Sequence, residues 1–156
     1  CFLGAILLIL TQKSSQKFGD VLGIMAISSS AMAQQTISIS ELVNTKWRVE
    51  NNWISDYKEY TLTEIIWKRK DGSFFKYPYY LTDTPVTSYD KSAFDYSKVG
   101  KTKKGSYMVS INEKMGIVYC ASIESFDKKK GVLVIKVVTQ GLIGASGGIE
   151  RYKLVK

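Results

Sequence analysis

The sequence predicts an all-β protein, an antiparallel up-and-down meander closed into a β-barrel of about seven to eight strands. Runs rich in Val, Ile, Thr, Tyr, Trp and Phe follow one another after residue 35, as is typical of strands. The links between them are short and polar, and short links join antiparallel neighbours. Several runs alternate apolar and polar residues, which indicates that one face is buried. A closed barrel leaves no exposed edge, and a two-sheet β-sandwich is the alternative.

The front of the chain differs from the rest. Residues 2–10 and 21–27 are apolar runs, and 31–33 read Ala-Met-Ala, the pattern that signal peptidase recognises. Both runs are shorter than the roughly 20 residues that a membrane-spanning helix needs, so no transmembrane anchor is expected. We interpret 1–33 as a signal peptide or a mis-assigned N-terminal extension. Residues 34–156 are then one exported domain, located in the periplasm, on the outer surface or outside the cell.

The elements of this domain begin with one short helical turn, for which Ser40 is the expected cap and Asn44 the terminator. The Asp71-Gly72 pair favours a tight hairpin, because both central residues of a type I′ turn need positive φ. The loops at 112–116 and 127–131 end in glycine. The predicted strands are 46–50, 60–69, 74–81, 106–111, 116–123, 132–139 and 149–155.

One long irregular segment, residues 82–105, interrupts the meander. Segments of this length without periodicity are usually functional, disordered or misassigned. Its aromatic residues Phe94 and Tyr96 argue against full disorder. We expect it to lie across one end of the barrel as a lid or to form an extra short strand pair.

The order of these features resembles small secreted bacterial proteins of the lipocalin-like, calycin type. Such proteins open with a short helical turn and a first strand carrying G-x-W, and they close with a strand whose arginine packs over that tryptophan. Trp47 and Arg151 are the corresponding positions here, and Thr45 stands in the position of the glycine. The resemblance covers nearly all of 36–156. It implies that an indole under a guanidinium closes one end of the barrel.

Catalytic chemistry finds little support in the sequence. The chain contains no histidine, which excludes imidazole-based nucleophile activation and the usual zinc centres. Gly144-Ala145-Ser146-Gly147-Gly148 matches G-x-S-x-G, but the strand, helix and histidine context of a nucleophile elbow is missing. We expect no enzyme activity, no cofactor and no metal site.

The charge of the chain needs a separate interpretation. The formal net charge is +8, and the lysines cluster at 98–104 and 128–130. Both clusters are interpreted as solvated turn lysines, so no nucleic acid partner is expected. Cys120, the only cysteine after residue 33, is interpreted as an unreactive thiol on a strand.

The leading hypothesis is a non-enzymatic barrel that binds a small hydrophobic or amphipathic ligand. Inward aromatic rings would supply apolar contact, and tyrosine hydroxyls would orient the ligand. The alternative is a filled barrel that acts as a protein- or glycan-interaction module through its outside or through residues 82–105. The predicted ligand-binding residues are Trp67, Phe75, Tyr77, Tyr79 and Tyr107.

Overall fold

The computed structural model describes residues 34–50, 56–141 and 147–156. The interpretation of residues 1–33 as a signal peptide or N-terminal extension lies outside these ranges, as does the serine of the G-x-S-x-G motif. Within the described ranges, no helix has both the length and the apolar character to span a membrane.

Eight of the strands in the described residues form a closed antiparallel barrel, which confirms the predicted barrel over the two-sheet sandwich. The barrel strands are β2 (Thr45–Val49), β3 (Tyr57–Tyr60), β4 (Glu64–Lys68), β5 (Phe74–Thr82), β7 (Tyr107–Asn112), β8 (Ile117–Asp127), β9 (Val132–Val137) and β10 (Ile149–Leu154), while β1 (Ile37–Ser38) and β6 (Lys104–Gly105) form a separate pair. Around the barrel the strands follow the order β10-β2-β3-β4-β5-β7-β8-β9. The barrel closes where β10 pairs with β2, with Leu154 opposite Trp47.

The predicted single strand over residues 60–69 is wrong. A tight turn divides it after Tyr60, and β3 and β4 form a hairpin with Tyr60 opposite Ile65. Thr61 stabilises the turn, because its backbone N–H donates to the Glu64 carbonyl at 2.9 Å and its hydroxyl accepts from the Glu64 N–H at 2.9 Å. Threonine favours strands but also caps turns, and here the second property prevails.

The other predicted hairpins are confirmed. In the first of them the Arg69 N–H donates to the Ser73 carbonyl at 2.9 Å and the Gly72 N–H donates to the Arg69 carbonyl at 3.1 Å. The turn is not the expected type I′, because Gly72 has φ 85° but Asp71 does not have positive φ. Gly116 and Gly131, at the ends of the next two loops, also have positive φ. Glycine adopts this backbone region without steric cost.

A short helix, α1 (Ile39–Leu42), precedes the barrel. Its N-cap is Ser38 and not the predicted Ser40, and the Ser38 N–H donates to the Glu41 carboxylate at 2.8 Å. A glutamate three residues after the cap is the capping-box arrangement. Asn44 follows with φ 61°, which ends the helix as predicted, and the chain then enters β2.

Residues 82–105 pack against the outside of the barrel wall. Phe94, next to the first of two 3₁₀ turns (Lys91–Ala93 and Tyr96–Lys98), is buried against the outer faces of β5, β7 and β8. The predicted extra strand pair is present in part, because the segment contributes β6 (Lys104–Gly105), whose partner β1 (Ile37–Ser38) lies outside the segment. The segment does not form the predicted lid, because its buried aromatic side chain, Phe94, packs against the outside of the barrel wall and not across one end. The barrel therefore has one apolar core inside and a second outside β5, β7 and β8.

Candidate functional site

A cavity of about 1050 Å³ occupies the barrel interior. It opens at the end where the hairpins at 69–73 and 112–116 lie. All eight barrel strands contribute residues to its lining, but β2 does so only through its last residue, Val49. Its lining is mostly apolar. Aromatic and aliphatic side chains of this lining include Tyr60, Ile65, Trp67, Phe75, Tyr77, Met108, Tyr119, Ile135 and Val137.

The opposite end of the barrel is filled with side chains. Trp47 is fully buried, and its ring centroid lies 5.7 Å from that of Phe126. Tyr60 and Tyr79 meet edge to face at 5.8 Å. Edge-to-face pairs place the positive rim of one ring on the negative face of the other. This end therefore forms a packed floor beneath the cavity.

Three of the predicted ligand-binding residues line the cavity together. The ring of Trp67 lies 6.0 Å from that of Phe75, which stacks in turn on Tyr77 at 6.5 Å. The Trp67 indole N–H donates to the buried carboxylate of Asp56 at 3.0 Å, which fixes the orientation of the ring. Arg69 covers these rings at the mouth, with its guanidinium 5.5 Å from the Trp67 ring and 5.1 Å from the Phe75 ring.

The other two predicted residues lie elsewhere. Tyr79 belongs to the floor, where it is fully buried and its hydroxyl donates to the Thr61 carbonyl at 2.7 Å. Burial raises the pKa of its phenol. Tyr107 packs in the outer core with Val109, so its predicted inward orientation is wrong. Both faces of β7 are buried, and alternation along the strand places Met108 and Ser110 inside instead.

The predicted stacking of Arg151 over Trp47 is also wrong. Arg151 is exposed, and its neighbour Tyr152 takes the inward position. The indole N–H of Trp47 is satisfied by Thr45, whose hydroxyl accepts it at 2.7 Å and itself donates to the Leu42 carbonyl. The threonine at the expected glycine position thus anchors the tryptophan to the end of α1.

A polar cluster on one wall of the cavity was missed from the sequence. It consists of Lys58 on β3 with Glu150 and Tyr152 on β10, the strands that flank β2. The Lys58 ammonium donates to the Tyr152 hydroxyl at 2.6 Å, and that hydroxyl donates to the Glu150 carboxylate. The ammonium also lies 3.7 Å from a carboxylate oxygen of Glu150 and 4.9 Å from the centre of the Tyr152 ring. We call these three side chains the polar wall.

Burial changes the acid–base properties of the polar wall. Desolvation lowers the pKa of Lys58, and the negative charge of Glu150 opposes this shift. Burial, reinforced by Glu150, raises the pKa of Tyr152 well above its usual value. Near neutral pH the Tyr152 phenol is therefore protonated and can act as a hydrogen-bond donor.

The sequence held a usable indication of the polar wall. Along β10, alternation puts Glu150 and Tyr152 on the same face as Leu154, which packs against the inner core. A charged residue on an otherwise apolar face indicates a polar position inside the barrel. Lys58 could not be assigned in the same way, because its strand was not predicted.

The cavity has mostly apolar walls, one polar wall in its interior, and charged side chains at its mouth, among them Arg69, Glu113 and Lys114. The strand order places β7 across the barrel from β2, so Met108 and Ser110 lie on the side opposite the polar wall. In the part of the chain that the structure describes, no three Cys, Asp or Glu side chains are grouped as a metal ion requires. The chemistry offered by these residues is apolar contact combined with oriented hydrogen bonds.

Comparison with protein-family models, with curated proteins and with solved structures gave no match. The eight-stranded closed antiparallel barrel is compatible with a lipocalin-like fold.

Proposed function

We propose that this protein is an exported, non-enzymatic lipocalin-like protein that binds a small hydrophobic or amphipathic molecule inside its barrel. The observation that carries the proposal is the open cavity of about 1050 Å³. Sites for small molecules are concave, largely apolar and typically about 300–1,000 Å³ in volume. A container of this size can hold a molecule with a long alkyl chain or several rings.

The lining supports the same conclusion. Trp67, Phe75 and Tyr77 form a continuous aromatic surface that runs from the mouth inward. A ligand that displaces water from such a surface gains roughly 25 cal/mol for each Å² of apolar area removed from water. The alternative, an interaction module with a filled barrel, lacks this support because only the floor end is filled.

The lipocalin-like part of the proposal rests on the order of the elements. A short helix, α1, leads into the first barrel strand, Trp47 lies buried at the closed end, and the following strands form an up-and-down meander. Export rests on the sequence of residues 1–33, and the non-enzymatic assignment rests on the missing histidine.

A binding titration tests the proposal. The uncharged probe N-phenyl-1-naphthylamine becomes fluorescent in apolar sites, and we expect it to bind saturably and to be displaced by long-chain alcohols. Ser110→Trp should fill part of the cavity and weaken probe binding at least about tenfold. Lys136→Trp places the same indole on the exposed outer face of β9 and should bind the probe as the parent does.

The outcome that would overturn the proposal is also defined. Circular dichroism must show that both variants keep the barrel. If the parent protein then binds neither the probe nor any alcohol saturably, the cavity has no ligand-binding role. Equal probe affinity in Ser110→Trp and the parent would place the binding outside the barrel. Native mass spectrometry of the protein purified without detergent should show a co-purified small molecule.

A further inference from the structure

The polar wall restricts which molecules the cavity can hold. Lys58 and Glu150 both line the cavity, and their side chains keep 24% and 43% of their surface accessible. An alkyl chain lying against them would remove water without replacing its hydrogen bonds. Burying a charged or polar group without a partner is costly. A bound molecule must therefore present a polar group at this position.

The hydrogen bonds within the wall define what that group must do. The ammonium of Lys58 has three N–H groups, and one is directed to Tyr152. The phenol of Tyr152 uses its only proton on Glu150. What remains is donor capacity on Lys58 and acceptor capacity on Glu150. A hydroxyl group can use both, because its oxygen accepts from the ammonium while its proton is donated to the carboxylate.

The charge of the wall argues against an ionised group. Lys58 carries one positive charge and Glu150 one negative charge, with 3.7 Å between the ammonium nitrogen and the carboxylate oxygen. A carboxylate placed beside Lys58 would also lie close to Glu150. Like charges at such distances repel one another, and the apolar walls of the cavity screen this repulsion less than bulk water does. An alkylammonium would meet the same difficulty at Lys58.

We propose that the ligand is an uncharged amphiphile whose hydroxyl group binds between Lys58 and Glu150, and that Glu150 discriminates against carboxylates. This inference rests on the proposed function, because it assigns a ligand class to the same cavity. Apolar lining from β7 and β8, including Met108 and Tyr119, would hold the hydrocarbon part. The proposal makes Glu150 a specificity-determining residue.

The test uses competitors of one chain length. 1-Decanol, decanoate and decylammonium are each titrated against bound N-phenyl-1-naphthylamine at neutral pH. In the parent protein we expect decanol to bind at least about tenfold more tightly than either ion. Glu150→Gln removes the negative charge and leaves Lys58 uncompensated, so decanoate should gain at least about tenfold in affinity. Lys58→Met should instead raise the affinity for decylammonium.

Glu59→Gln is the matched control. Glu59 is the neighbour of Lys58 on β3 but lies on the outer face, where it pairs with Lys46 at 3.0 Å and Lys68 at 2.9 Å. The same loss of charge there should leave the order of the three competitors unchanged.

The results separate the two proposals. If neither the probe nor an alcohol binds the parent protein saturably, the proposed function itself fails. If the probe binds but decanoate competes as well as decanol, or if Glu150→Gln leaves the decanoate affinity unchanged, only the hydroxyl assignment is overturned. An unchanged decanoate affinity in Glu150→Gln would place the carboxylate of decanoate elsewhere in the cavity, for example beside Arg69 at the mouth.

Discussion

Thr45 provides a direct test of how α1 is joined to the barrel. Its hydroxyl accepts the indole N–H of Trp47 and donates to the carbonyl of Leu42, and all three residues are buried. Replacement of Thr45 by valine keeps the shape of the side chain but removes the hydroxyl. The indole N–H and the Leu42 carbonyl then lose their shared partner in a region that water does not reach.

The size of the effect follows from these two groups. Each buried polar group left without a partner costs about 1–3 kcal/mol. Two such groups give about 3 kcal/mol for Thr45→Val, with allowance for partial relaxation. For a domain of this size that loss corresponds to a decrease in Tm of about 10 °C. A loss of about 3 kcal/mol is a large share of the 5–15 kcal/mol by which a folded domain is typically more stable than its unfolded chain.

Urea unfolding followed by far-ultraviolet circular dichroism measures the change in the free energy of unfolding. Thr36→Val is the control, because Thr36 is exposed and, among the hydrogen bonds of the described residues, its hydroxyl contacts only the hydroxyl of the half-buried Ser106. Its variant should change the free energy by less than about 0.5 kcal/mol. The double variant Trp47→Phe/Thr45→Val should cost less than the sum of the single variants, since the donor is removed with its acceptor.

The reasoning is refuted by either of two results. A loss for Thr45→Val no larger than that for Thr36→Val would mean that the buried hydroxyl contributes nothing. Strictly additive effects of the Trp47 and Thr45 substitutions would mean that the two side chains are not coupled. In both cases the anchoring of Trp47 through Thr45 would have to be abandoned.

Three further predictions concern close packing and pH. Gly105→Ala should lower the free energy of unfolding by about 3 kcal/mol in the same urea assay, because a Cβ at this position would clash with the backbone nitrogen and carbonyl of Thr82. An unchanged urea midpoint would contradict the close contact between β5 and β6. Cys120 should react slowly with a thiol reagent at pH 8, because burial raises the pKa of its thiol to about 11. Mass spectrometry should find the thiol fully modified only after the protein is unfolded. Fast labelling of the native protein would show that the outer core is open to the reagent. Burial raises the pKa of three phenols, those of Tyr60, Tyr79 and Tyr152, so the folded state keeps protons that the unfolded chain releases near pH 10. The contribution of these phenols to stability should therefore be complete below pH 10 and should fall as the pH rises above it. Absorbance near 295 nm should show that these phenols ionise only as the protein unfolds.

Much of the architecture was predictable because local chemistry determines it. The glycine-ended hairpins, the strand-rich runs and the short links led to the antiparallel meander and its closure. The misassigned 60–69 strand shows the limit of propensity, since Thr61 and Thr63 favour strands and yet lie in the turn between β3 and β4. The correct cap, Ser38, differs from Ser40 by two residues, and either serine could supply a capping hydroxyl.

The candidate site was predictable only in part. Trp67, Phe75 and Tyr77 lie on β4 and on the part of β5 that precedes Tyr80, where the outer core does not cover the outside of the barrel, so their inward orientation followed from the pattern. The outward orientation of Tyr107 could not be predicted from the pattern, because residues 82–105 cover the outside of β7 and both faces of this strand are apolar. With two buried faces, alternation alone does not distinguish inside from outside.

The sequence by itself determined most of the strands and their hairpin turns, since these depend on residues that are near one another in the chain. Closure of the barrel pairs Leu154 with Trp47, from opposite ends of the domain, and the sequence indicated it only through the number of strands and their short links. The tertiary structure alone decided where the cavity lies and which of its walls is polar. Lys58 and Tyr152 are 94 residues apart and meet only because β10 pairs with β2 and closes the barrel. Their hydrogen bond, and the charge balance with Glu150, exist only after that closure has placed them on the same inner wall.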